Sequence, residues 1–291
     1  MDLQADLKRI VIESLNAAGV TFNPSAEVNE LLIAALTIEE RQIPAQPRNV
    51  HVAQEFNAAM TTLSADCQAG VTEIQRKLKA GEDVNPHLNL RSLQPTKDDD
   101  LLTDWGIYHF HLGLQPIHGG RFFERTGPLA FAHVTPSDVF LINILEHGNF
   151  AEPKLVETLI RRFPTVAEAH EMKGMKVTAF PPPKTAIDIE ALRKVHVNSP
   201  LCVDGRLYFG PGSGFVSSGV SFRAVHRANA TQKIISELNR VMQIEEDSVR
   251  RQVAANHPGT NPAQLDFELI CHEKQWSLFE KTTQSLLRFG P

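Results

Sequence analysis

Apolar positions recur at helical spacing through the first third of the chain. Leu3, Leu7, Ile10, Val11 and Leu15 form one stripe over residues 2–18, and Gly19 closes it. Asn23-Pro24 predicts a cap and a first-turn proline for a second helix carrying Val28, Leu31, Leu32, Ala35 and Leu36. Ile43-Pro44 and Gln46-Pro47 end that pattern. From about Val50 to Ala80, the residues Val52, Phe56, Met60, Leu63, Cys67, Val71, Ile74 and Leu78 step by four, four, three, four, four, three and four. This predicts one long helix with a sustained apolar face, packed on a sheet or in a bundle. Gly81 to Lys97 reads as a connector, and Asp98-Asp99-Asp100 as a solvated acidic turn.

The period then changes to two. In Asp104-Trp105-Gly106-Ile107-Tyr108-His109-Phe110-His111-Leu112-Gly113, a strand places Ile107, His109 and His111 on one face. Tyr108, Phe110 and Leu112 fall on the other, which is apolar and predicts the core face. The first face would then present two imidazoles side by side to solvent. After a loop over Gln115–Gly127, Leu129–Val134 and Val139–Leu145 read as strands joined by the turn Thr135-Pro136-Ser137-Asp138. Pro153 opens a helix with Leu155, Val156, Leu159, Ile160 and Phe163 inward, and Pro164 stops it. Pro181-Pro182-Pro183 reads as a stiff turn, and Thr185–Lys194 as a short helix. A strand over Arg206–Phe209 runs into the glycine-rich stretch 210–219, and Ala230–Val253 is helical. Strict alternation of Leu265, Phe267, Leu269 and Cys271, then Trp276 and Leu278, favours a C-terminal β-hairpin turning at His272–Gln275 and extending the sheet, with a helix capped by Asn261-Pro262 as the alternative.

The fold class is therefore α+β: a mainly antiparallel sheet with helices on one face, preceded by a helical N-terminal region. The boundary is placed near residue 97, giving a helical region 1–97 and an α+β core 98–291. A length of 291 residues suffices for a sizeable core. A net charge of −5 argues against sequence-independent coating of nucleic acid but leaves room for a local basic cleft. Cys67, Cys202 and Cys271 are far apart and form no CxxC, so neither a zinc ribbon nor a disulfide framework is expected. The first residues lack the basic start and apolar run of a signal peptide, and no stretch approaches a membrane span. A cytoplasmic protein is expected.

Three stretches offer chemistry. His109 and His111 would share a site with His147, from the end of a nearby strand, and with Arg125 or Arg121 from the intervening loop. Imidazoles near neutral pKa serve as acid and base, and an arginine holds a phosphate bidentately. These are the groups that cleave RNA without a metal or cofactor. The same His-x-His is also a common metal-ligand spacing, with His133, His147 or Glu124 completing a triad. The stretch Gly210-Pro211-Gly212-Ser213-Gly214 is neither a Walker loop nor a dinucleotide fingerprint, and reads as a flexible loop or a backbone nest for phosphate. Arg223, His226 and Arg227 follow it and would bind a nucleic-acid backbone.

The order of His-bearing strand, loop arginine, apolar strand and strand ending in His resembles small prokaryotic ribonuclease toxins of the RelE/barnase-like group. Residues 104–163 also resemble uncharacterised bacterial proteins with a Trp-x-Ile-x-His-x-His-Leu run. The resemblance covers about residues 98–165 and rests on motif order. It implies a helix packed on an antiparallel sheet and a metal-independent endoribonuclease of toxin or phage-defence kind. His109 and His111 would be the acid–base pair, Arg125 the phosphate clamp and His147 a supporting group. RNA would be the substrate, a cognate inhibitor protein a further partner, and the N-terminal helices a homo-oligomer contact. Two alternatives stay open: a metal-dependent hydrolase or oxygenase using the same histidines, and a non-catalytic oligomeric binding protein.

Overall fold

The computed structural model describes residues 2–175, 184–272 and 275–288. In chain order the elements are α1 (Leu3–Ala17), α2 (Val28–Arg41), β1 (Asn49–Val52), α3 (Gln54–Met60), α4 (Ala65–Ala80) and α5 (Asp100–Trp105). They continue as β2 (Ile107–His111), β3 (Pro128–Val134), β4 (Asp138–Glu146), α6 (Pro153–Arg162), α7 (Pro164–His170) and α8 (Ala186–Lys194). The rest are β5 (Leu201–Val203), β6 (Arg206–Tyr208), α9 (Phe222–Ala255), β7 (Phe267–His272), β8 (Gln275–Glu280) and β9 (Ser285–Leu287). The fold is α+β. The expected turn at Pro181–Pro183 lies outside the described residues. Among the described residues, no helix is long and apolar enough to cross a membrane.

The chain divides into two units, residues 37–223 and residues 1–36 with 224–291. The boundary expected near residue 97 falls inside the first of these. That unit is built on a sheet of order β1-β4-β3-β2. β2 pairs antiparallel with β3, and β3 with β4, while β1 runs parallel to β4 with Asn49 opposite Asp138 and Val52 opposite Leu141. Consecutive residues of β3 and β4 are buried, so helix or loop covers both sheet faces.

The single long helix expected over 50–80 is instead a strand and two helices. Residues 49–52 are mostly exposed and pair with β4, a non-local contact that no helical period reveals. The Ser64 hydroxyl then caps α4 by accepting from the Cys67 N–H at 3.3 Å. α3 and α4 still bury one apolar row, Phe56, Val71, Ile74 and Leu78, in the core with Trp105, Phe110 and Phe131. Trp105 ends α5 rather than opening the strand, because Gly106 takes the left-handed conformation (φ 65°) that terminates a helix. Pro164 likewise does not end helical structure but opens α7.

In the other unit the alternating residues near the C-terminus do form a hairpin. Phe267 lies opposite Glu280 and Leu269 opposite Leu278, and β9 adds a third strand. The hairpin forms its own sheet and does not extend the four-stranded one. The buried Glu280 carboxylate closes the turn beyond β8, accepting from the backbone N–H groups of Asp266, Thr282 and Thr283 and from the Thr283 hydroxyl. α1 buries Leu3, Leu7, Val11 and Leu15 as its stripe predicts. α2 begins at Val28, four residues later than a first-turn Pro24 would place it, because the Asn23 side chain accepts from the Ser25 N–H and holds a turn.

Candidate active site

Strand alternation brings His109 and His111 to one side of β2, with ring centroids 6.4 Å apart. That side is not open to solvent. His111 is only 3% exposed, and Ile107, on the same face, is fully buried. The residues covering it come from the connector 81–97, where short 3₁₀ turns Asn85–His87 and Leu90–Leu93 lie beside the strand. What remains is a cleft of about 240 Å³. The imidazoles of His109, His111 and His147 line it with the guanidinium groups of Arg91 and Arg125 and the carboxylates of Asp98, Asp99 and Asp100. Asn89, Leu101 and Phe150 complete the wall.

The acidic triplet is thus part of the cleft and not merely a solvated turn. Asp99 also caps α5, its carboxylate accepting from the Leu102 N–H. Burial is the main influence on Asp100 and pushes its carboxyl above the usual aspartate value, against the pull of Arg193.

Hydrogen bonds fix the state of the half-buried His109 ring and the buried His111 ring. Asn89 Oδ1 accepts from the Arg91 N–H at 2.8 Å, which orients the amide so that Nδ2 donates to His109 Nε2 at 2.9 Å. The His109 lone pair is therefore engaged and its proton sits on Nδ1. The Thr126 N–H donates to His111 Nδ1 at 3.3 Å, which leaves the His111 proton on Nε2. Burial pushes His109 below its ordinary pKa, with His147 and Arg91 acting in the same direction and Asp99 against them. His111 is pushed down to about 4, by burial first and then by His109, Arg125 and His147. Both rings are neutral at pH 7, and each has one N–H left to give.

His87 braces this arrangement from behind. It is fully buried, donates from Nδ1 to the His111 carbonyl at 3.0 Å, and sits edge-on to Phe123. Burial, chiefly, holds its pKa down to about 4. Phe150 stands between the other two imidazoles, 5.0 Å from His109 and 5.2 Å from His147 by ring centroids. The His147 side chain is exposed at the rim, and its backbone N–H is anchored on the Gly127 carbonyl. Arg41, nearly buried, donates to the carbonyls of Arg91, Gln94 and Lys97 and so holds the connector that carries Asn89 and Arg91.

The cleft thus gathers His109, His111, Arg125 and His147. Arg121 lies elsewhere: exposed, it donates to Gln42 at 2.8 Å and rests over Phe122. Arg223 does not line the cleft; its charge acts on Tyr108, His133 and His170. His226 and Arg227 belong to α9 in the other unit. The glycine-rich stretch is not a phosphate nest. Its amides are spent on the end of α5, with Gly212 N–H on the Asp104 carbonyl at 3.2 Å and Gly214 N–H on the Thr103 carbonyl at 2.9 Å. A Cβ on Gly210 or Gly212 would collide with those α5 carbonyls, which explains the glycines as close-approach residues. The metal triad does not assemble: His133 donates to the Gly106 carbonyl within the core. Among the described residues, no three His, Cys, Asp or Glu side chains converge as a metal site would require.

Asn89, Arg91, Thr126, Phe150 and His87 were not foreseen. Asn89-Leu90-Arg91 is an Asx-turn signal, but the neighbouring His87 and the cleft itself leave no local trace in the sequence. Comparisons with profiles of known protein families, with curated proteins and with solved structures find no match for this chain.

Proposed function

We propose that this cleft is the active site of a metal-independent endoribonuclease. The observation that carries the reading is the convergence of three histidines, two arginines and the half-buried Asp100 on one concavity. Arg125 and Arg91 clamp the phosphate. A neutral imidazole whose lone pair is engaged is neither base nor acid, so His109 and His111 act as N–H donors to the charge that builds on the phosphoryl oxygens. Proton transfer falls to the groups left. Asp100, its carboxyl raised by burial, takes the proton of the 2′-hydroxyl as the 2′-oxygen bonds to phosphorus. His147, at the rim, gives a proton to the 5′-oxygen as the P–O5′ bond breaks. The products are a 2′,3′-cyclic phosphate and a 5′-hydroxyl end.

The test is incubation of total RNA with wild type, with and without excess chelator, and with His147→Ala and Arg125→Ala. Cleavage that leaves cyclic-phosphate ends, survives chelator and falls by roughly 10²-fold or more in His147→Ala supports the reading. Cleavage abolished by chelator, or undiminished in His147→Ala, overturns it. The two donor-only imidazoles favour one second reading, a site that binds an anionic ligand without turnover. In that case RNA binds, is not cleaved, and is released by Arg125→Ala.

A further inference from the structure

A second pocket lies on the far side of α5, among α5, α6, α8 and β5. It has a cavity volume of about 60 Å³ and no part in the histidine cleft. Its walls are mostly apolar, with Trp105, Val156, Ile189 and Val203 buried around it. One corner is polar. There the Lys184 ammonium donates to the Pro200 carbonyl at 3.2 Å, and the Ser199 hydroxyl reaches the same carbonyl at 3.5 Å. Two donors meeting at one oxygen stand close together, and the ammonium has further N–H groups to give.

The charged groups of the lining, Asp104, Glu157, Lys184 and Arg193, are not all directly paired with one another. The buried Arg193 is largely committed elsewhere: its Nε pairs with Asp104 at 3.0 Å, its Nη1 donates to the Phe150 carbonyl at 2.7 Å, and its plane stacks over Trp105, which leaves only Nη2 without a partner. Glu157 is taken by Arg161 at 2.9 Å. Among the described residues no carboxylate lies within ion-pair distance of Lys184. The pocket is therefore an apolar slot closed at one end by an ammonium that makes no direct ion pair among the described residues, its charge reaching only the more distant Asp104 and Asp188.

We propose that this pocket binds a short, branched aliphatic carboxylate. Lys184 and Ser199 hold the carboxylate, and the hydrocarbon tail lies against Trp105, Val156 and Val203. Size sets the tail length. One water needs roughly 10–15 Å³ of such volume, so about 60 Å³ admits about four to six non-hydrogen atoms. Isobutyrate meets that limit, with its carboxylate at the polar corner. A ligand this small binds with a Kd on the order of 1 mM. The proposal does not depend on the ribonuclease reading, since neither the pocket nor its probe uses the histidine cleft.

Cys202 supplies the readout. It lines the pocket as a free, half-buried thiol. In full-length protein carrying Cys67→Ser and Cys271→Ser, the rate of alkylation of Cys202 is followed against isobutyrate concentration. Saturable protection, about tenfold at ten times Kd, is expected from isobutyrate. Isobutyramide, the neutral isostere, and isobutyrate added to Lys184→Met are expected to protect at least fivefold less. The half-buried Lys184 sits outside the core, so Lys184→Met is expected to keep the fold, and its circular dichroism is the check. Absence of saturable protection, or equal protection by the amide, overturns the proposal.

Discussion

Three imidazoles of the 37–223 unit are buried in the neutral state, and this makes the unit acid-labile. His87, His111 and His133 are 0%, 3% and 9% exposed. Burial, in each case the largest influence, holds each near a pKa of about 4. In the unfolded chain each returns to about 6.5. The sign follows directly. A histidine whose folded pKa is depressed favours folding while both states are neutral. As pH falls below 6.5 the unfolded chain takes up the proton first, and stability declines until the folded pKa is reached. At pH 5 each group contributes a loss of about 2 kcal/mol relative to pH 7.5, from the ratio of the two binding polynomials. Together the three amount to about 6 kcal/mol, comparable to the whole stability of an ordinary domain. The assay is urea denaturation at pH 7.5, 6 and 5. Emission from the buried Trp105 is followed in a Trp276→Phe background, so that only this unit is reported. The expected slope approaches about 4 kcal/mol per pH unit between pH 6 and 5. His87→Asn, whose amide replaces the Nδ1 donor to the His111 carbonyl without a titratable ring, lowers that slope by about one third. A stability that is flat from pH 7.5 to 5, or a slope unchanged in His87→Asn, refutes the reasoning.

Other consequences follow from single contacts. In Asn89→Asp one carboxylate oxygen keeps the Arg91 N–H and the other faces His109 Nε2, so that ring must carry its proton there. Its pKa rises by about 1–2 units, read by imidazole nitrogen NMR, and a wild-type ring already protonated on Nε2 contradicts the assignment. Gly212→Ala drives a Cβ into the Leu102 and Thr103 carbonyls and costs about 3 kcal/mol, measured by urea midpoint; a change below about 0.5 kcal/mol contradicts that packing. At Glu280, burial pushes the carboxyl up, but hydrogen bonds from Thr283, Asp266 and Thr282 outweigh it and bring the group to about 2. Its contribution is present above pH 4.5 and is lost as pH falls towards 2, and Glu280→Gln removes that acid sensitivity along with roughly 1–3 kcal/mol at pH 7.

Much of the fold follows from local pattern. The stripe of α1, the pair β3–β4 with its Thr135–Asp138 turn, the Pro153 start of α6 and the alternation of β7 and β8 are each set by side chains within a few residues. The failures share one cause. β1 exists because Asn49–Val52 meets β4 some ninety residues later, and its four residues are too few for their alternation to stand out against the helical spacing that follows. The helical spacing of 52–78 survives because α3 and α4 present their apolar rows to the same core across the Thr61–Ser64 break. The hairpin β5–β6 is too short for Leu201–Val203 to show an alternation. Composition could not separate a phosphate nest from a helix cap at 210–214 either, because glycine is required for both.

The histidine pair shows where local reading of a site stops. Alternation along β2 places His109 and His111 together, but their tautomers are decided outside the strand, by Asn89 of the connector before it and by the Thr126 N–H of the loop after it. Asn89 occupies the lone pair of one ring, and His87 grips the backbone of the other. Arg41 in turn holds that connector through three carbonyls. A stretch that reads as a linker therefore supplies part of the cleft wall, and its Asn89 leaves His109 with only Nδ1–H to donate. On the proposed ribonuclease reading, proton transfer comes from residues whose rings or carboxylates are not committed, which directs attention to His147 at the rim and Asp100 in the wall.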